Sequence, residues 1–109
     1  MNIPPIVYEM KHHGMILTGR EAGDDAYPAL KTAMEKVAEH GMLVLSFEGV
    51  KMITTSFGDS CIGQILVDIR EGRFGNRKLA VRDVGNAALA AALATIAEIA
   101  AAPLPLAPA

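Results

Sequence analysis

The sequence predicts an α/β domain in the order β-β-α-β-α-β-α, with a mixed sheet that contains parallel strands and helices packed against it. Three observations carry this. Short β-prone runs alternate with segments of helical period. One run, Met42 to Phe47, is apolar enough to lie inside a sheet. Glycine or polar turns separate the segments. A length of 109 residues, 51% of them hydrophobic and none of them tryptophan, suits one core of Ala, Val, Ile, Leu and Met.

Ile6 to Met10 and Met15 to Thr18 are the first β-prone runs. The polar turn Lys11-His12-His13-Gly14 between them predicts an opening hairpin. From Asp25 to His40, Ala26, Leu30, Ala33, Met34, Val37 and Ala38 recur at spacings of three and four, as on one face of a helix. Asp24 or Asp25 is its expected cap, Pro28 belongs in its first turn, and Gly41 ends it. After the strand Met42 to Phe47 comes a second helix, with Phe57, Cys61, Ile62, Ile65, Leu66 and Ile69 on its apolar face and Gly72 closing it. Leu79 to Val84 is the fourth strand. Gly85-Asn86 is a turn and cap, and Leu89, Leu93, Ile96 and Ala100 form the buried stripe of a third helix. The domain is expected over residues 1–102, with 103–109 a Pro-rich flexible tail, extended or disordered rather than packed.

Composition narrows the function. A net charge of −2 without a Lys/Arg stripe offers no footprint for nucleic acid. The most apolar segment, Asn86 to Ala102, is alanine-rich and carries Glu98, which argues against a membrane span. Cys61 is the only cysteine and, with no charged-then-apolar leader at the start, a cytoplasmic protein is expected. His12-His13 has no further ligand at a metal-binding spacing, so neither a metal nor a cofactor is expected. With no Gly-rich phosphate loop and no recognisable catalytic set, the chain is not expected to be an enzyme, and no catalytic residue is assigned.

The most informative stretch runs from Leu43 to Asp59. It passes from a strand through Glu48-Gly49 into Ile53-Thr54-Thr55-Ser56-Phe57-Gly58-Asp59, a hydroxyl-rich helix start whose free N–H groups favour an anion. Ser56 and Asp59 also fit a capping box, which accounts for the same residues without any further role. This stretch resembles the signature of the STAS-like domain family of unassigned function, in which a hydrophobic strand is followed by an Asp-Phe-x-Gly-Val turn and then Ile-Thr-Ser-Ser-Phe-x-Asp. It is more distantly similar to anti-sigma factor antagonists, in which an Asp-Ser-Ser-Gly at this helix start is the target of a partner kinase. The resemblance implies a STAS-like fold, with Thr55 aligned to the phosphorylated hydroxyl and Ser56 to the one after it. Thr54 stands where the antagonists have an acid and Phe57 where they have glycine.

Carboxyl ends of parallel strands share a rim, where ligands and partners meet such folds. Arg20, Thr54, Thr55, Ser56, Asp59 and Asp83 are the expected rim residues. Arg20 is either an anion clamp or the ion-pair partner of Asp59 or Glu48. The expected function is a protein-interaction or regulatory switch domain, phosphoregulated at Thr55 or Ser56. By resemblance its partner is an ATP-using kinase of the anti-sigma or sensor type in a bacterial signalling pathway. The rival readings are a small-ligand or nucleotide-binding module on the same rim, and a dimerisation domain that pairs a second copy at the free sheet edge.

Overall fold

The computed structural model describes residues 3–107. Three strands, β1 (Ile6–Glu9), β3 (Met42–Ser46) and β5 (Lys78–Arg82), form a sheet in the order β1-β3-β5. Both pairings are parallel. β3 takes the middle because Leu43, Val44, Leu45 and Ser46 are buried on both faces, whereas β1 is largely half-exposed. A second, two-stranded parallel ladder joins β2 (Ile16–Leu17) to β4 (Met52–Ile53).

The expected opening hairpin is therefore not formed, and every strand pairing among the described residues is parallel, not mixed. Met10–His13 winds into a 3-10 turn, and Gly14 at φ 121° redirects the chain, so β2 leaves β1 and pairs with a strand far along the sequence. β4 is an additional strand, too short for any periodicity to announce it.

Helix α1 (Arg20–Glu35) lies about five residues earlier than expected at both ends. Neither Asp24 nor Asp25 caps it, and Pro28 sits in its interior on the exposed side. Gly19, at φ 87°, makes the turn out of β2, and its carbonyl accepts the Gly23 N–H at 3.1 Å. At the other end His40, not Gly41, takes the left-handed conformation, at φ 69°. The apolar face is the expected one up to Met34, with Ala26, Leu30, Ala33 and Met34 buried; Val37 is buried just past the helix end, whereas Ala38, also expected on that face, is exposed.

The second helix runs from Thr55 to Arg70 in three pieces: α2 (Thr55–Gly58), a π-helical turn (Asp59–Gly63) and α3 (Gln64–Arg70). Such a turn holds one extra residue and commonly marks a place under structural or functional constraint. It packs against both α1 and α4 (Ala87–Ala100). The expected cap of α4 is present, with Asn86 Oδ1 accepting the Leu89 N–H at 2.8 Å, and Leu89, Leu93, Ile96 and Ala100 are buried.

The tail departs from expectation. Pro105 O accepts the Val81 N–H at 2.9 Å and Val81 O accepts the Ala107 N–H at 2.7 Å, so residues 105–107 run parallel along β5, and Leu104 packs on the core. An edge strand with open N–H and C=O groups gains from such cover. Residues 108 and 109 of the expected tail lie outside the described residues.

Candidate functional site

Thr54 joins the starts of two helices. In extended conformation ahead of α2, it offers Oγ1 to the Phe57 N–H and to the Gly19 N–H, each at 3.3 Å. One hydroxyl thus serves an otherwise orphaned donor of α2 and the residue that opens α1. The Thr54 N–H is held by Leu17 O at 2.9 Å, so the β2–β4 ladder sets the position of this junction. The cap is Thr54, not Ser56, and the expected capping box is absent: the residue three after Thr54 is the apolar Phe57, and Asp59 pairs with Arg20 instead.

Asp59 Oδ2 accepts from Arg20 Nη2 at 3.2 Å, while Arg20 Nη1 donates to Ser60 Oγ at the same distance. Ser60 in turn donates to Ser56 O at 3.0 Å. Arg20 therefore spans from the first residue of α1 to the π turn. With the Arg20 side chain 60% exposed, this pair contributes about 0–1 kcal/mol, so it orients more than it stabilises.

The two helices approach closely here because Gly23 has no side chain. A Cβ at Gly23 would strike the Phe57 carbonyl oxygen and lie 2.7 Å from Ser60 Cβ. Gly23→Ala is expected to destabilise the fold by about 2 kcal/mol, since overpacking against backbone costs up to about 3 and alanine returns about 1 of helix propensity. Urea denaturation measures it, and a stabilised variant would contradict the contact.

The hydroxyls of the helix start differ. Ser56 Oγ lies 3.2 Å from Thr54 Oγ1, whereas the half-exposed Thr55 hydroxyl has no side-chain hydrogen-bond partner among the described residues. Beside them Met15, Ile16 and Met52 are exposed at 53%, 59% and 44%. Ile16 pairs with Met52 across the ladder, so these two exposed side chains share one face, and Met15, whose O accepts the Lys51 N–H at 2.8 Å, flanks them.

Asp83 belongs to a different group. At φ 59° just past β5, it accepts from Ser46 Oγ at 2.7 Å and from Arg82 Nε at 3.2 Å. No hydrogen bond or ion pair among the described residues ties it to Arg20 or Thr54. Of the six expected rim residues, Arg20, Thr54, Ser56 and Asp59 share one bonded cluster, Thr55 adjoins it, and Asp83 stands apart. Sequence reasoning missed Gly19, Ser60 and the exposed Met15, Ile16 and Met52. Ser60, one helical turn after Ser56, was the available signal.

Cys61 is fully buried, its Sγ donates to Phe57 O at 3.3 Å, and burial pushes the thiol up to about 12. Among the described residues no three His, Cys, Asp or Glu side chains group as a metal site, and no helix is long and apolar enough to cross a membrane.

Residues 30–87, more than half of the chain, match the family described as STAS-like domain of unknown function (DUF4325). The chain belongs to that family. The match takes in β3, β4, the Thr54–Asp59 helix start and β5. Gly19, Arg20 and Gly23 precede the matched residues, so the α1 half of the cluster rests on the geometry of this STAS-like domain itself. No curated protein and no solved structure matches the chain.

Proposed function

We propose that this STAS-like domain works by binding another protein rather than by catalysis, through the exposed apolar residues Met15, Ile16 and Met52 and the adjoining helix start Thr54 to Ser56. The observation that carries the reading is the half-exposed Thr55 hydroxyl three residues after exposed Met52, whose ladder partner Ile16 is exposed as well. Apolar clusters with methionine are typical of contact surfaces, and a hydroxyl at their edge is where a modification would alter docking. A phosphate on Thr55 would bring about −1.5 to −2 charges to the first residue of α2, favourable to the helix and repulsive to an acidic or apolar partner. Likeness to anti-sigma factor antagonists supports an ATP-using kinase as the partner in a bacterial signalling pathway. A cytoplasmic location fits that role.

Phosphate-affinity electrophoresis after incubation with such a kinase tests the switch. A retarded band is expected for the native chain and for Ser56→Ala, whose hydroxyl is already engaged by Thr54, and none for Thr55→Ala. Capture of the kinase should fail for the double variant Ile16→Asp, Met52→Asp. A band that persists in Thr55→Ala, or undiminished capture by the double variant, would overturn the reading.

A further inference from the structure

At the end of the sheet where β3 and β5 begin, away from the Thr54 cluster, a cavity of about 360 Å³ opens between α3, the two strands and the tail. Its wall is apolar: Leu66, Ile69, Leu79, Ala102, Pro103 and Pro105. Two charged residues line it, Arg70 and Lys78, and both are cationic. No carboxylate lines it among the described residues, and neither cation forms an ion pair there.

The tail builds this cavity. Ala101, at φ 52°, turns the chain out of α4, and Pro103 and Pro105 then form one wall on the way to the pairing with Val81. Arg70 is fixed by a 2.6 Å bond from Nη1 to Ala100 O, which answers the negative carboxyl pole of α4 and leaves its remaining N–H groups free. Lys78 is exposed at the head of β5 and has no comparable anchor. Volumes of roughly 300–1,000 Å³ with apolar walls and a few convergent polar groups are what small-molecule sites use.

We propose that this cavity binds an anionic amphiphile, a medium-chain carboxylate, with its hydrocarbon chain against Leu66, Ile69, Leu79 and Ala102 and its head group between Arg70 and Lys78. The apolar wall selects against small polar anions, and two unpaired cations with no acid beside them select against cationic or neutral amphiphiles. The site uses none of the residues assigned to protein binding and stands or falls independently of that role.

Amide-resolved NMR titration of the full chain with decanoate, below its aggregation concentration, tests the proposal against decanol, decyltrimethylammonium and acetate. Saturable shifts at Leu66, Ile69, Leu79 and Ala102 are expected with decanoate, and none with acetate or the ammonium amphiphile. Exchanging an attraction for a repulsion at a partly exposed charge is worth about tenfold in affinity, so Lys78→Glu should bind decanoate about tenfold more weakly with its spectrum otherwise intact. Decanol should be weaker than decanoate by a similar factor. Absence of saturation, equal affinity for decanol, or undiminished binding by Lys78→Glu would each overturn the assignment.

Discussion

Phe57→Ala should be among the most damaging single substitutions in this chain, lowering stability by about 3–5 kcal/mol in a urea titration, the range for deleting a buried phenyl ring. Phe57 is 1% exposed and sits at the root of the hydroxyl loop. Its N–H donates to Thr54 Oγ1, its carbonyl accepts from Cys61 Sγ, and the first turn of α1 passes over it at Gly23. The ring therefore holds the residue through which the helix start is tied to α1. Besides the global loss, amide hydrogen exchange at Thr54 to Gly58 should quicken more than at Leu89 to Ile96. A loss below about 1 kcal/mol would mean that the ring is not part of the core.

Asp68→Ala comes next, at about 2–3 kcal/mol, because hydrogen bonds to a buried charge are worth more than neutral ones. The residue is 3% exposed and accepts from Tyr27 Oη, from Gln64 Nε2 at 3.0 Å and from Arg73 Nη1 at 2.8 Å. It fastens α1 to α3, and the exposed Arg73 regains water when it is lost, which caps the cost. Burial alone would raise the Asp68 carboxyl, but the bonds from Tyr27, Gln64 and Arg73 outweigh it and hold the group below its ordinary value of 3.8. A carboxyl lowered in the folded state contributes stability that is complete above the unfolded value and disappears as pH falls through the folded one. Asp68→Ala should accordingly show a flatter acid limb below about pH 4. Burial and the bond to Asp68 push Tyr27 the other way, from 10.0 to about 12, so its contribution is complete below pH 10 and is lost as pH rises toward 12. Equal acid limbs in the native chain and the variant would contradict this account.

Local chemistry was legible in the sequence where it decides structure locally. Asn86 caps α4 because its side chain needs only the N–H of Leu89, and the stripe Leu89, Leu93, Ile96, Ala100 follows from helical spacing alone. Helix α1 was displaced because Asp24 and Asp25 resemble a cap, while its real start depends on Gly23 meeting Phe57, a contact between residues far apart in sequence. β2 and β4 are two residues each and exist through their pairing with one another, which no local pattern encodes. At the candidate site, the hydroxyl run and the Arg20–Asp59 charges could be read in advance. The choice of Thr54 as cap could not, because it depends on Gly19 arriving from the other side of the junction. The separation of Asp83 from that cluster has the same origin: Ser46 claims it at the end of β3.

The tail's pairing with Val81 leaves the three-stranded sheet asymmetric. One border is occupied by residues 105–107 of the same chain, while the other is β1, where Val7 is 37% exposed. Residues 105–107 are few and include Pro105, which has no N–H to donate, so that border is a poor template for a further strand, whereas β1 offers four residues. Strand addition at β1 can join two copies about a two-fold axis, but that union consumes the available border of both, so assembly by this route ends at a closed pair.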